Sequence, residues 1–285
     1  IMGRIVSFSS GKGGAGKTLC TVNFATELVS RGYKVLVFDI DINCSNVFIL
    51  LHVKPESKLQ EYFEGTLNLK DCIIKSEFNI DVISAGINIQ RFVQFENDFN
   101  LSILARDLRE LSEEYDYVLI DYAAGITQSM MKFYEMSDDI ILIANPEITS
   151  LTDLYRLMKM MFVNKITDKM YLIVNKVKNI DWAINLYKEV KKVSDKFSLD
   201  INLVLLGPIL FDEEKVMVSI QKRTPLIKLY PKTPIKGGFS LAVTRYLYDL
   251  GLLNDKNAKE KSFAEFFWNY KKDNTIFKSY YPKKF

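Results

Sequence analysis

Between an apolar run at Arg4–Ser9 and a stretch with helical spacing (Leu19, Val22, Ala25, Val29) lies the octapeptide Gly11-Lys12-Gly13-Gly14-Ala15-Gly16-Lys17-Thr18. It satisfies G-x-x-x-x-G-K-[ST] in the strand, loop, helix context that gives this pattern its meaning. Glycines let backbone N–H groups converge on a phosphate without side-chain obstruction, and the helix start adds the positive end of its dipole. Lys17 supplies a point charge, and the Thr18 hydroxyl can ligate Mg²⁺. The expected nucleotide contacts are Gly11, Lys12, Gly13, Gly14, Ala15, Gly16, Lys17, Thr18 and Leu19.

The rest of the chain repeats the same alternation. Lys34–Phe38 is an unbroken apolar run ending in Asp39-Ile40-Asp41, and Tyr117–Ile120 is another, ending in Asp121. Such runs suit strands buried on both faces of a parallel sheet. Further runs at Ile80–Ser84, Asp139–Ala144, Met170–Val174 and Asn202–Leu206 alternate with helical stretches near 98–113, 126–136, 149–162, 181–197 and 238–253. The pattern predicts an α/β fold with a doubly wound, mostly parallel sheet and helices on both faces. At 285 residues the chain is about twice the usual domain size, but this architecture fills residues 1–254 as one domain. A Lys- and aromatic-rich tail follows over 255–285. Ligands of such sheets sit beyond the carboxyl ends of the strands, where the glycine loop and all three aspartates fall. Hydrolysis needs a metal-linked carboxylate and a group that positions water, and Asp121, with Asp39 and Asp41, offers both.

The base can be read from Asn175-Lys176-Val177-Lys178. Guanine recognition in many GTPases uses Asn-Lys-x-Asp, whose carboxylate accepts the N1 and N2 hydrogens of the base; Lys178 can only donate. Adenine is expected. Three widely spaced cysteines, Cys20, Cys44 and Cys72, lack the spacing of a disulfide framework or a metal knuckle. No window is apolar enough for a membrane span, and the first residues lack a secretion-signal pattern, so the cytoplasm is the expected compartment. The net charge of +3 divides unevenly: the tail from residue 256 carries eight Lys against Glu260, Glu265 and Asp273, leaving the body faintly acidic. A broad basic face for nucleic acid is not expected.

The additional Lys12, in Lys-Gly-Gly-x-Gly-Lys-Thr, resembles the deviant Walker A motif of the MinD/ParA family of P-loop ATPases, and the resemblance covers residues 3–253. Asp39-Ile40-Asp41 resembles the family's first switch, Asp121-Tyr122-Ala123-Ala124-Gly125 its second, and Asn175 its adenine contact. The resemblance implies ATP/ADP and Mg²⁺ as cofactors and an ATP-sandwiched homodimer. Lys12 would reach the partner's phosphates as a finger in trans, and Asp41 would orient the attacking water. Thr18 and Asp121 would hold the metal, with Asp39 supporting. Pro146-Glu147-Ile148-Thr149-Ser150-Leu151-Thr152-Asp153 and Asp121–Ile126 are similar to the FlhG branch, whose members regulate flagellar number and placement with an FlhF-like GTPase and basal-body proteins. FlhG often carries an activating segment before its first strand; this chain starts almost at that strand, so the activity is not expected. The first switch reads Asp41-Ile42-Asn43-Cys44-Ser45-Asn46 and lacks a usual glycine, which implies altered hydrolysis. MinD-like division-site and ParA-like partition functions stay open as alternatives, as does a metabolic enzyme on this fold.

In the tail, Phe263, Phe266, Phe267 and Tyr270 form one aromatic stripe at helical spacing, flanked by Lys259, Lys261, Lys271 and Lys272. That is the pattern of a helix lying at a membrane surface. The same stripe could pack as a last core helix or dock on a partner. With the membrane reading, the protein is peripheral on the inner face and switches between a cytosolic monomer and a membrane-bound dimer.

Overall fold

A computed structural model describes residues 3–40, 46–54, 56, 58–84, 98–122, 128–197 and 199–253. Asp41 with most of the first switch, Ala123–Gly125 of the second, and the aromatic tail lie outside the described residues.

The chain alternates β1 (Arg4–Ser9), α1 (Lys17–Ser30), β2 (Val35–Asp39), α2 (Asn46–Leu50), α3 (Lys58–Phe63), β3 (Ile74–Lys75), β4 (Ile80–Ser84), α4 (Asp98–Ser112) and β5 (Tyr117–Asp121). It continues through α5 (Gln128–Met136), β6 (Asp139–Ala144), α6 (Ile148–Val163), β7 (Lys169–Val177), α7 (Ile180–Lys196), β8 (Asn202–Leu210), α8 (Glu213–Gln221), α9 (Leu226–Leu229) and α10 (Pro234–Asp249). The eight strands form one sheet in the order β3-β4-β2-β5-β1-β6-β7-β8. Every pair is parallel except β3 with β4. The doubly wound sheet expected from the apolar runs is therefore present, with a two-residue antiparallel strand at one edge.

Strand side chains alternate between two cores, as the period of two requires. Ile5, Leu36, Phe38, Val118 and Ile120 face the layer that contains Leu104, Phe133, Leu157 and Met161. Val6, Phe8, Val35, Val37 and Leu119 face the layer that contains Phe24, Leu28, Phe239 and Tyr246. Burial on both faces is why the central strands read as continuous apolar runs instead of alternating ones.

Two boundaries differ from the sequence reading. β7 and β8 each run to nine residues, longer than expected, because their pairing continues past irregularities at Leu172/Ile173 and Val174/Val177. The last helix starts at Pro234, not near Gly238. Thr233 caps it by accepting Lys236 N–H, and Pro234 occupies the first turn. Gly238 sits inside the helix because a Cβ there would stand 2.6 Å from the Pro208 carbonyl oxygen of β8. A glycine that looked like a helix start is a point of close helix–sheet approach.

Candidate nucleotide-binding site

The phosphate loop leaves β1 at the position where chain order reverses: β5 and β2 lie to one side of β1, and β6, β7 and β8 to the other. Register fixes the neighbours. Phe8 pairs with Asp121, and Asp121 pairs with Asp39, so both carboxylates lie at the carboxyl edge beside the loop. Both are buried.

Gly14 and Gly16 adopt left-handed φ of 75° and 85°. At Gly14 there is open space around a Cβ, so the conformation alone demands glycine there. At Gly16 a Cβ would also stand 2.3 Å from Asn175 Nδ2. Gly16 caps α1 without any side-chain bond, which leaves first-turn N–H groups for an incoming anion. Gly11 is constrained from the opposite side, where a Cβ would stand 2.5 Å from the backbone carbon of Asp153 in α6.

The two lysines of the loop have different environments. Lys17 is buried, and its Nζ donates to Asp121 Oδ1 at 2.7 Å. Thr21 Oγ1 reaches the same oxygen at 3.3 Å. Asp121 Oδ2 is buried and finds no hydrogen-bond partner among the described residues. An orphaned, deeply buried carboxylate oxygen next to a phosphate loop suits a hard cation or its bound water. Lys12 is 42% exposed and donates to Glu147 Oε2 at 2.7 Å, directly before α6. That bond holds the Glu147 carboxyl below its ordinary value.

Asn175 and Lys176 clamp the loop backbone. Asn175 Nδ2 donates to the Ala15 carbonyl and Lys176 Nζ to the Gly14 carbonyl, each at 2.8 Å. Lys176 takes a left-handed φ of 57° to do so. Thr18 and Leu19 line the same cleft, whose volume is about 700 Å³. Its far wall comes from the end of β8 and from α8: Ile209, Phe211, Asp212, Glu213, Val216 and Met217. The volume is in the range of small-molecule and cofactor sites.

Gly11–Leu19, Asn175, Asp39 and Asp121 are thus brought to one edge of the sheet. Asp41 lies outside the described residues. The sequence reading assigned no role to Glu147, Lys176 or the wall built by β8 and α8. The only local signal for that wall is Asp212, which caps α8 by accepting Lys215 N–H at 3.0 Å immediately after an apolar strand.

Beneath the loop, hydroxyls replace apolar packing. Ser9 Oγ lies 2.6 Å from Tyr134 Oη, and Ser7 Oγ lies 3.0 Å from Tyr122 Oη. These bonds tie the strand that carries the loop to β5 and α5. Burial pushes the Tyr134 hydroxyl up to about 12.

A family model described as an AAA domain matches residues 3–180. Antiactivator FleN of Pseudomonas aeruginosa is 28% identical over 230 residues, covering 81% of each chain. Flagellum site-determining protein YlxH of Helicobacter pylori is 28% identical over 208 residues, covering 72% of this chain and 69% of that one. Among solved structures, the septum site-determining protein MinD complexed with Mg-ADP from Pyrococcus horikoshii superposes with a TM-score of 0.70 at 25% identity, covering 92% of this chain and 99% of that one. The chain thus belongs to this AAA-domain family, as a FlhG-like P-loop ATPase of the MinD/ParA type.

Proposed function

We propose that this protein is an ATP-switched spatial regulator that dimerises on ATP, binds the membrane reversibly and controls the number or placement of flagella. The observation that carries this reading is the division of labour between the two loop lysines: Lys17 is buried against Asp121, whereas Lys12 stands exposed at the lip of the cleft. A phosphate that enters the loop offers Lys17 a second anionic partner within its own chain. Exposed Lys12 would act outward, on phosphates presented by a second copy, where it would stabilise charge growing on the transferring phosphoryl group. Its bond to Glu147 is exposed and can be exchanged at little cost.

Thr18 and Asp121 would hold Mg²⁺, with Asp39 supporting; the orphaned Asp121 oxygen fits that assignment. An ion held there would supply positive charge against the phosphate oxygens. Asn175 donates to the Ala15 carbonyl through its amide nitrogen, which leaves its carbonyl oxygen to accept from an adenine amino group. Asp41 is proposed to orient the attacking water. The body of residues 1–254 carries this chemistry, and the tail of 255–285 attaches it to lipid. The flagellar assignment is supported by FleN and YlxH as relatives.

Light scattering of the full chain with ATP and Mg²⁺ should give a dimer, and with ADP a monomer. Lys12→Ala should bind nucleotide normally yet stay monomeric and lose hydrolysis. A Lys12→Ala protein that dimerises and hydrolyses ATP like the parent would overturn the trans-acting role. Deleting the gene in its host should change the number of flagella per cell, and an unchanged count would remove the flagellar assignment.

A further inference from the structure

The far wall of the cleft is lightly built. Within α8 only Ser219 is buried. Met217 and Ile220, which line the cleft together with Val216, are 50% and 39% exposed. A helix with so little core of its own takes its place from whatever holds its two ends. At one end Asp212 caps it directly after β8. The other end is joined to α9: Ser219 Oγ donates to the Thr224 carbonyl at 2.6 Å, and Lys215 Nζ lies over the Tyr230 ring, 5.7 Å from its centre. α8 and α9 therefore form one unit, and what fixes α9 fixes the wall.

α9 is held by α1. Leu226 and Ile227 bury their side chains in the layer that contains Phe24 and Leu28 of α1. Apolar contact of that kind sets the spacing of two elements but not their register, because it has no direction. Direction comes from Asn23. It is fully buried inside α1, where Asn is a poor helix former and a buried amide must find partners. The two ends of the amide bond to different elements: Nδ2 donates to the Leu19 carbonyl one turn earlier at 2.7 Å, and Oδ1 accepts the Ile227 N–H at 3.0 Å. That N–H lies in the first turn of α9, where a helix supplies no partner of its own. Leu19 directly follows Thr18 and itself lines the cleft. One buried amide joins the start of the phosphate-loop helix to the unit that builds the opposite wall.

We propose that Asn23 is a positioning residue for nucleotide selection. By holding α9 it sets how far the α8 wall stands from the phosphate loop, and so the fit around the base. It acts through Ile227 and not on the nucleotide, since its side chain is buried behind the cleft lining. The consequence is asymmetric. The phosphate groups meet the loop and the first turn of α1, which precede Asn23 and keep their own ties to Asp121, Asn175 and Lys176. The base end is bounded by Val216 and Met217, whose place depends on α9. Without the Asn23 oxygen the Ile227 N–H is buried and unpaired, and α9 must move to satisfy it. The inference deepens the nucleotide reading above and rests on it, with the base lying between Asn175 and the α8 wall.

The test measures, by calorimetry on the full chain, the affinity for ATP and for inorganic tripolyphosphate, each with Mg²⁺. Their ratio isolates the base end of the cleft. Asn23→Leu should weaken ATP binding by about fivefold or more while tripolyphosphate binding stays within about twofold of the parent. Asn23→Asp keeps an oxygen for the Ile227 N–H and should bring the ratio back to within about twofold of the parent. Ser219→Ala loosens the α8–α9 corner from the other side and should reproduce the selective loss, which keeps the test decisive if Asn23→Leu does not fold. Leu108→Ala opens a cavity in the other core layer; it should lower the thermal midpoint and leave the ratio unchanged. Equal losses of both ligands in Asn23→Leu, the same selective loss in Leu108→Ala, or an unchanged ratio in Ser219→Ala overturns the inference. An Asn23→Asp protein as impaired as Asn23→Leu shows that the bond to Ile227 is not the one that matters and overturns it too. A parent that binds tripolyphosphate as tightly as ATP has no base selection to position, whereas a parent that binds neither removes the nucleotide reading itself.

Discussion

The two sides of the nucleotide cleft are built by opposite strategies. On the phosphate side the central groups are buried and paired: Lys17 lies 2.7 Å from Asp121, and buried Asn175 holds the Ala15 carbonyl, with exposed Lys176 bracing Gly14 from outside. On the far side, β8 and α8 present Phe211 and Met217, each about half exposed. Charged chemistry demands a fixed, desolvated constellation, because misplaced charges in a low-dielectric site cost more than they return. An apolar wall needs only approximate shape, and it can remain open until a ring covers it.

That contrast orders the expected effects of substitution. The largest belongs to Lys17→Met. It leaves the Asp121 carboxylate buried and unpaired, which costs about 3–5 kcal/mol in denaturant unfolding, and nucleotide affinity should fall at least a hundredfold. Adding Asp121→Asn should restore most of the stability and none of the affinity. If the double variant is no more stable than Lys17→Met alone, the pair is not what holds this side together.

Next comes the loop backbone. Gly14→Ala should cost about 1–2 kcal/mol from its left-handed φ alone. Gly16→Ala should cost more, because its Cβ also meets Asn175, and it should weaken nucleotide binding at least tenfold. Equal losses at the two positions would show that the Asn175 contact is not a constraint.

The phosphate side also has a predicted response to alkali. Burial holds Tyr134 neutral, raising its hydroxyl from the ordinary 10.0 to about 12 against the smaller, opposite pull of its hydrogen bond with Ser9. Its stabilisation is therefore complete below pH 10 and lost as pH rises from about 10 through 12. Tyr134→Phe should lower stability at pH 8 by about 0.5–1.5 kcal/mol, the worth of one hydrogen bond, and flatten the alkaline limb of the unfolding profile. A variant with an unchanged alkaline limb would assign that limb to other buried tyrosines.

Smaller effects belong to the far wall. Phe211→Ala should leave the thermal midpoint within a degree or two while weakening nucleotide binding a few-fold; a loss as large as that of Lys17→Met would erase the distinction between the two sides. Smallest of all for stability is Lys12→Ala, whose partner Glu147 is exposed. Its thermal midpoint should be unchanged, and its effect should be confined to association and hydrolysis.

Much of the phosphate side was legible because it is local. Strand, glycine loop and helix are contiguous, and the meanings of Gly16, Lys17 and Thr18 follow from spacing of a few residues. Asp39 and Asp121 were legible as strand-end carboxylates, since buried parallel strands announce themselves as apolar runs. The far wall was not. Phe211, Asp212 and Val216 look like any strand-to-helix corner, and their place across from the loop depends on the pairing of β8 with β7 in a sheet whose loop-bearing strand lies far earlier in the chain. Gly238 misled for the same reason, since nothing near it in sequence reveals the Pro208 carbonyl that excludes a side chain.

By itself the sequence determined the class of fold, the phosphate-binding loop and the chemical types of the residues around it, because periodicity and backbone freedom are properties of neighbouring residues. The tertiary structure alone decided that Lys17 is satisfied by Asp121 while Lys12 stands exposed against Glu147, and that Asn175 and Lys176 brace the loop. Those facts are distances between residues far apart in the chain, and only the register of the sheet and the packing of helices on its two faces set them.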